Sequence, residues 1–504
     1  MPGWSDAFEA ALSSPAVALM WRVESWRIGT GPGREGWQAA SCQAASTGGA
    51  WDRLVLPPRI TGSTVTPQSW RCSVGAAQVV VAAPSACHQW LVRGSFLRIY
   101  VGVVGLGGGA AGMELAWAGM VDTITQRGGL VQIDGLDLFA ALKSRITRTA
   151  LELELFYNAS GATTVKAGSP YVAGDTTLHV TSTAGFERQS GGNGAVKVVP
   201  DSGDAFYLRW SASTGTTLTV ESTAFHGTVA GAASAGQAVT EVALLEGHPI
   251  DIARRVLTST GTGSNGTHDV YPGGWGLGIP WAAIDDTDIA RTKLRASGVS
   301  GMDWSVLVEG EVTDGLGWLA GLLETGGLVL AMCQGRITVR AVEDLATPTA
   351  YRTWEVSEDD VVRGSEWEYS AYADDVSLEY SDLSVRSSSA ASTLPSTVYV
   401  DTLPAGDYLT YDLSAVLLGS AVSQLTAVSD RMALGATQIP EVLRVRVPLA
   451  YAGATVLDRV RLRGWSIVGR HGDISDSVGV ITSVSPDWSA GVVDMTIHLW
   501  RPDL

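Results

Sequence analysis

The sequence predicts a multidomain protein that is built mainly of β-strands. At roughly 100 to 200 residues per domain, its 504 residues are enough for three or four domains. Strand-like runs of β-branched residues recur along the chain between clusters of Gly, Pro and Ser, and the chain contains 59 glycines. The hydrophobic content of 45% and the charged content of 17% are typical of globular proteins. Long helices are therefore not expected.

Net charge and cysteine content exclude several classes of protein. The chain has 51 acidic and 34 basic residues, and its net charge of −17 argues against a surface that binds phosphates. Nucleic acid is therefore not a predicted ligand. The cysteines are too few to crosslink a chain of this size and none forms a Cys-x-x-Cys pair, so a core without disulfides is expected. They are Cys42, Cys72, Cys87 and Cys333.

Neither the N-terminus nor the most hydrophobic stretch predicts export or a membrane span. The first residues lack a basic start followed by an apolar core, so a cleaved signal peptide is not expected. Residues 100–121 are interrupted by glycines and by Glu114, which is unfavourable for a spanning helix. We therefore expect the protein to be assembled inside a cell, without a membrane-spanning segment.

Residues 1–160 predict a first β-barrel or sandwich. The strand-like runs are 16–23, 78–81, 96–101, 117–124 and 130–134. Gly128-Gly129 lies between the last two runs and predicts a hairpin. A short helix is expected to follow, because four residues have helical spacing and the first three of them share one inward face. These are Leu136, Phe139, Ala140 and Lys143.

Residues 161–245 predict a small β module that is inserted into the longer chain. Its first recognisable pattern is the sequence AGDTTLHVTSTAGF, which starts at Ala173. Ser213-Thr214-Gly215 supplies turn chemistry between two of its strands. The strand-like runs are 176–182, 205–210, 216–220 and 236–242.

Residues 246–345 predict a small α/β domain with three helices and a hairpin. A proline suits the first turn of a helix over 249–258. Asp288 is expected to cap a second helix through Leu294, and Thr313 or Asp314 to cap a third that ends at Gly326-Gly327. The hairpin is expected over 328–333 and 336–341, because Gln334-Gly335 fits a two-residue primed turn.

Residues 346–504 predict a second β domain. The serine-rich segment 384–398 is expected to be a flexible loop or linker. A helix is predicted over 421–432 from its apolar spacing. The strands expected after it are 443–447 and 460–462, followed by a final hairpin over 479–488 and 491–499.

Four of these patterns resemble a known family when they are taken in order. The module sequence AGDTTLHVTSTAGF resembles a small β domain that is common in tail and baseplate proteins of tailed bacteriophages, although Phe225-His226-Gly227-Thr228 stands where that domain commonly has an Arg-Gly pair. The order of elements over 119–146 and the helix, Gly-Gly and hairpin over 315–341 resemble phage baseplate or tail-tip hub proteins. The sequence GVITSVSPDWSAGVVDMTI from Gly479 is similar to the last hairpin of that family.

The resemblance implies a structural virion protein that forms a homotrimer at the tail tip. Hub relatives carry two β-barrels related to the tail tube, so three chains match a sixfold tube above and a threefold tip below. The implied partners are the distal tail protein or tail tube, the tape-measure protein and other tail-tip or fibre proteins. DNA would pass through the trimer without specific binding, and assembly would take place in the host cytoplasm. We expect the wall of this channel to be acidic, because three copies triple the charge of −17.

Motifs for chemistry are weak, and we predict no enzymatic activity, cofactor or metal. Residues 107–112 satisfy GxGxxG, but the β-branched sequence after them predicts a strand where a dinucleotide site needs a helix. Cys72, Cys87 and His88 lack the two close pairs of donors that zinc sites use. The acidic runs 285–288 and 358–360 are explained by helix capping or solvation.

Two alternatives to a structural hub stay open. A carbohydrate-binding adhesin at the tail tip would use aromatic residues in a Gly/Pro-rich loop, as weak candidates for contact with a glycan or partner. These are Tyr271, Trp275 and Trp281. An enzyme that cuts cell-wall polymer is the other alternative, because paired carboxylates leave no fixed sequence signature. For that enzyme, Asp285 and Asp286 are the residues to replace.

Overall fold

β-Strands dominate the computed structural model of the protein and form several sheets, which confirms the prediction of a mainly β, multidomain fold. The structure describes residues 4–14, 17–26, 36–47, 51–62, 64–66, 71–73, 75–82, 91–107, 109–142, 162–184, 186, 194–224, 228–258, 279, 283–296, 299–308, 312–324, 326–341, 351–362, 368–371, 382–386, 399–401, 408–412, 416–418, 441–466, 468–469 and 472–500.

The first sheet is the largest in the N-terminal part of the chain. A helix, α1 (Asp6–Leu12), precedes it, and α2 (Phe139–Leu142) follows it. Its strands are paired in the order β3-β2-β1-β8-β9-β10-β7-β4, and β5 pairs with β6 separately. The strands are β1 Leu19–Trp26, β2 Gly36–Ala40, β3 Asp52–Arg53, β4 Arg59–Thr61, β5 Val65–Thr66, β6 Arg71–Cys72, β7 Ala76–Ala82, β8 Phe96–Val103, β9 Glu114–Arg127 and β10 Leu130–Asp137.

The first sheet closes on itself as a barrel. The segment after β3 returns to β7, where Leu54 pairs with Val81 and the Val55 amide donates to the Val80 carbonyl at 3.0 Å. Residues in β7 alternate between buried and partly exposed, so one face of the strand lines the barrel core. The hairpin predicted at Gly128-Gly129 is confirmed, with φ of 53° and 81° at the two glycines as a primed turn requires.

The short helix after β10 begins later than predicted. Leu136 was expected on its inward face, but it pairs with Met120 in the β10 ladder. Asp137 accounts for the difference, because its Oδ1 accepts a hydrogen bond from the Phe139 amide at 2.9 Å and caps the helix there. Phe139 is fully buried, as expected, and Lys143 lies outside the described residues.

The inserted module forms a sheet in the order β12-β15-β14-β13-β16 around its own core. The strand β16 is longer than the sequence predicts, because its second half leaves the module and pairs with the next strand of the chain over Ala243–Gly247. The module is therefore joined to the following elements through one continuous strand. Its strands are β11 Ala162–Thr164, β12 Thr177–His179, β13 Gly194–Val198, β14 Phe206–Thr214, β15 Thr217–Val220 and β16 Ala238–Gly247.

The next elements match the predicted α/β pattern closely. They are α3 Pro249–Thr258, α4 Asp286–Arg295, β17 Trp304–Val308, α5 Gly315–Glu324, β18 Leu328–Cys333 and β19 Arg336–Ala341. The turn between β18 and β19 is primed, with φ of 48° at Gln334 and 72° at Gly335. Asp314 caps α5 through the Gly317 amide at 3.0 Å, as one of the two predicted candidates. Asp288 does not cap α4, since the Asp285 carboxylate takes that role by accepting from the Asp288 amide at 3.0 Å.

The C-terminal sheet is paired in the order β20-β27-β30-β31-β26-β21. It curls, because the chain leaves β20 at one edge and the Val362 amide then donates to the Arg446 carbonyl near the other edge at 2.9 Å. Its final hairpin confirms the predicted one. The remaining strands are β20 Thr353–Ser357, β21 Glu368–Ala371, β22 Asp382–Arg386, β23 Tyr399–Asp401, β24 Tyr408–Asp412, β25 Val416–Leu418, β26 Glu441–Pro448, β27 Arg459–Arg463, β28 Val468–Gly469, β29 Gly472–Asp473, β30 Val478–Asp487 and β31 Val492–Trp500.

Two predictions for this part are only partly covered by the structure. The linker expected over 384–398 was wrong at its start, because residues 384–386 belong to β22 and pair with β23 and β24. The rest of that segment lies outside the described residues, and so does the helix expected over 421–432.

Candidate functional site

The first sheet and the C-terminal sheet share one hydrophobic core, and the junction between them is the candidate functional site. Trp21 of β1 and Trp488, just after β30, meet edge to face with ring centroids 5.3 Å apart. Trp4 packs on the same Trp488 ring at 5.7 Å. All three rings are buried in a cluster that takes residues from both sheets. Aromatic pairs of this kind stabilise the contact between the two sheets beyond the area that they bury.

Helix α1 ties the two sheets together from the side. Phe8 and Leu12 are buried under it, and Ser5 caps its start through the Phe8 amide. The Trp4 indole donates to the Leu115 carbonyl in β9 at 2.9 Å. At the other end of the contact, Glu9 accepts from Arg352 at 2.6 Å, next to the start of β20.

The two sheets also approach each other closely at Gly62. A Cβ atom at this position would lie 1.7 Å from the Val484 carbonyl oxygen of β30. Two residues further on, Thr64 forms a β-bridge with Ser483, and their hydroxyl oxygens are 3.2 Å apart. Only glycine fits this contact, since any side chain would push the two sheets apart.

A buried ionic network joins the β18–β19 hairpin and α4 to the C-terminal sheet. The Arg340 Nε atom donates to Asp288 Oδ2 at 2.7 Å, and its Nη1 donates to Asp458 Oδ1 at 2.9 Å. The same Nη1 reaches the Val456 carbonyl at 2.8 Å. Thr338 donates to Asp288 at 2.9 Å. The three charged side chains are each at most 5% exposed, so a change at one leaves the others desolvated.

Burial and charge in this network suppress reactivity. Burial raises the pKa of the Cys333 thiol to about 12, so it stays protonated at neutral pH. Burial opposes the charge on Arg340, but Asp288, Cys333 and Asp458 together outweigh it and hold the pKa of the guanidinium above its ordinary value. Burial also raises the pKa of the Asp285 carboxyl. These groups are arranged as fixed partners, which is typical of a structural joint.

A polar cavity of about 490 Å³ lies between α1 and this network. Three of the carboxylates that line it face guanidinium groups: Glu9 pairs with Arg352, and Asp288 and Asp458 pair with Arg340. These pairs hold the carboxylates in fixed positions between α1, the β18–β19 hairpin and the C-terminal sheet.

The structure assigns structural roles to the acidic runs. Asp285 caps α4, and Asp286 pairs with Arg254 at 3.0 Å. In the second run, Asp360 accepts from the Ser357 amide at 2.8 Å and Glu358 accepts from the Ser466 hydroxyl at 2.8 Å. The predicted capping role is confirmed for Asp285 and for Asp360, which forms a capping box with Ser357, whereas Asp286 forms an ion pair.

Most of the other candidate residues from the sequence lie outside the described part of the chain. Tyr271, Trp275 and Trp281 lie outside the described residues, as do Cys87 and His88. Cys72 lies in β6 and packs against the apolar cluster that contains Val329. Within the part of the chain that the structure describes, no group of three His, Cys, Asp or Glu side chains could hold a metal ion. Residues 109–112 form one 3₁₀ turn that leads into β9.

Sequence reasoning missed Arg340, Asp458 and Gly62. Of these three residues, only Arg340 has a recognisable sequence pattern around it. It alternates with Arg336 and Thr338 along one strand face, which predicts a polar, solvent-exposed face. That signal is misleading, since both faces of β19 are buried.

Comparisons with known proteins give low similarity. No protein-family model and no curated sequence matches the chain. The tail protein from Neisseria meningitidis is 11% identical, with 96% of this chain and 97% of that chain covered and a TM-score of 0.40. The 43 kDa tail protein of prophage MuSo2 from Shewanella oneidensis is also 11% identical. The match covers 96% of this chain and 98% of that chain, with a TM-score of 0.38.

The Francisella PdpA-VgrG complex is 7% identical, covering 98% of this chain and 60% of that chain, at a TM-score of 0.36. Scores and identities this low carry no conclusion about function. No helix in the described ranges is both long and apolar enough to cross a membrane.

Proposed function

We propose that the protein is a structural component of a phage tail, the homotrimeric hub at the tail tip. In this proposal residues 1–160 and 346–504 form the two hub β-barrels. Residues 246–345 form the α/β domain that braces them, and 161–245 form a peripheral module. The hub joins the sixfold tail tube to the threefold tip and works by shape, without catalysis.

The observation that carries the proposal is the joint between two β domains within one chain. The N-terminal sheet closes as a barrel, the C-terminal sheet curls, and one aromatic core runs through both. Three such chains place six β domains around an axis while keeping threefold symmetry. A joint that holds each pair at a fixed angle is what this task requires.

The phage-like sequence patterns support the same proposal. The opening of the module and the final hairpin resemble tail proteins at separate places in the chain; the first pattern contains β12, and the second coincides with β30 and β31. The partners in this proposal are the distal tail protein or tail tube, the tape-measure protein and tip or fibre proteins. The protein would be located in the virion tail tip after assembly in the host cytoplasm.

An acidic channel completes the proposal. With a net charge of −17 per chain, the trimer repels phosphates wherever that excess faces the axis. Ejected DNA would then pass without being held. A structure of the trimer whose channel wall is basic contradicts this part and leaves the hub intact.

The mass of the purified protein tests the hub directly. Sedimentation equilibrium should give three times the chain mass of 52.8 kDa, and averaged electron micrographs should show a threefold ring with a central hole. Three copies per virion would agree. A chain that remains monomeric at high concentration, with no ring, contradicts the proposal. The adhesin alternative stays a prediction, which binding of the purified protein to a glycan array would test.

A further inference from the structure

The outer wall of the first barrel carries an apolar patch where neighbouring side chains are left open to solvent. Val55 is 43% exposed, Leu56 is 54% exposed and Leu130 is 42% exposed. Leu54 is bridged to Val81, so Val55 lies beside Val80 on the outer face. We call three residues, Val55, Val80 and Leu130, the barrel patch.

The register places Leu130 in the same patch. Leu130 pairs with Ala82, two residues from Val80 along β7. Its neighbour Val131 is buried, so Leu130 points outward, as Val80 does beside the buried Val79 and Val81. Neighbouring strands lie about 4.8 Å apart, which places Val55, Val80 and Leu130 on one outer surface.

Three arginines surround the barrel patch. Arg53 is the last residue of β3 and lies two positions before Val55. Arg127 pairs with Leu130, and Arg59 pairs with Gln78, which lies two residues before Val80 on β7. All three are exposed. In the described part of the chain no ion pair joins any of them to an acidic side chain, although acidic residues outnumber basic ones by 51 to 34. An apolar centre with a charged rim is typical of a protein-protein interface.

We propose that a second copy of this chain covers the barrel patch through a different, acidic surface. This inference rests on the proposed trimeric hub. The chemistry favours a copy of the same chain, because each copy carries a net charge of −17 and the rim of the patch carries three exposed arginines.

The charges also decide the geometry of the contact. If two copies met patch to patch, three arginines would face three arginines, and such like-charge contacts oppose binding. The patch therefore meets another part of the neighbouring chain. Contacts of this head-to-tail kind form closed rings when the rotation closes, and a ring of three satisfies the proposed symmetry.

Charge insertion into the patch tests the contact. Val55→Glu and Leu130→Glu should each weaken assembly on the order of 30-fold or more in sedimentation equilibrium, since a buried interface centre does not accept an unpaired charge. Val229→Glu is the matched control, because Val229 is 84% exposed and lies in the inserted module. It should leave the dissociation constant unchanged. All three variants should keep the wild-type circular dichroism spectrum and melting temperature.

Charge reversal at the rim gives a second, independent measurement. Arg53→Glu and Arg127→Glu should weaken assembly and reduce its dependence on salt, because they remove attraction to the acidic neighbour.

Three outcomes overturn the inference, and they are distinguishable. A wild-type chain that stays monomeric contradicts both the patch and the trimeric hub. A trimer that none of the four variants weakens contradicts the patch alone and leaves the hub standing. If the variants remain trimeric but lose binding to another tail protein, the patch belongs to that protein and not to a second copy.

Discussion

Replacing Arg340 by methionine should destabilise the protein more than any exposed charge change. The guanidinium is 5% exposed and faces two carboxylates, Asp288 and Asp458, which are 2% and 5% exposed. Arg340→Met removes the cation and leaves both carboxylates buried without it. Breaking a buried ionic pair in this way costs about 3 to 5 kcal/mol of unfolding free energy.

A surface pair with similar bonding provides the control. Arg446 bonds Asp494 through two hydrogen bonds of 2.7 and 3.1 Å, but the two side chains are 47% and 50% exposed. Arg446→Met should be nearly neutral, because water and salt already screen this pair. Urea unfolding followed by tryptophan fluorescence measures both variants, and hydrogen exchange should show the loss concentrated in β18, β19 and β27.

A triple variant separates lost charge pairing from lost packing. Arg340→Met combined with Asp288→Asn and Asp458→Asn leaves no charge at the buried centre, so most of the lost stability should return. Arg291 loses its 3.4 Å contact with Asp288 in this variant, but its side chain is 19% exposed and reaches water. The reasoning is refuted if Arg340→Met is no more destabilising than Arg446→Met. It is also refuted if the triple variant is less stable than Arg340→Met alone.

The remaining predictions concern packing, pH and thiol reactivity. Gly62→Ala should lower the unfolding free energy, measured by urea unfolding, by about 3 kcal/mol, because the added Cβ would meet the Val484 carbonyl. Gly215→Ala is the control and should be tolerated, because a Cβ at that position has open space. Burial lowers the pKa of His498 from 6.5 to about 4, so the unfolded chain binds the proton at a higher pH than the folded chain. The contribution of His498 to the unfolding free energy should be complete above pH 6.5 and should fall by about 3 kcal/mol as the pH drops through 4. In unfolding curves taken between pH 7 and 4, His498→Gln should reduce this dependence on pH. Cys333 should resist iodoacetamide at pH 8 until urea unfolds the chain, which peptide mass spectrometry can follow; rapid labelling of the native protein would contradict its raised pKa and burial.

Local chemistry in the sequence was sufficient for many individual elements. The helix over 249–258 was predicted with its observed bounds, and the turns at Gly128-Gly129 and Gln334-Gly335 were predicted with the correct conformation. These features depend on residues within a few positions of each other, so the sequence contains their whole cause. Predictions at helix starts were less accurate. Asp288 looked like a cap by its position, but a distant arginine binds its carboxylate and Asp285 caps the helix.

The sequence by itself determined the mainly β class, the hairpins at Gly128-Gly129 and Gln334-Gly335, and the excess of negative charge. Only the tertiary structure decided that the first sheet closes at Leu54 and Val81, that Trp21 and Trp488 share a core, and that Arg340 reaches Asp458 across 118 positions of the chain. Alternation and turn chemistry record which face of a strand is buried, but they do not record which strand lies beside it. That choice depends on side chains from remote segments fitting together in one core, and it becomes visible only when the whole chain is folded.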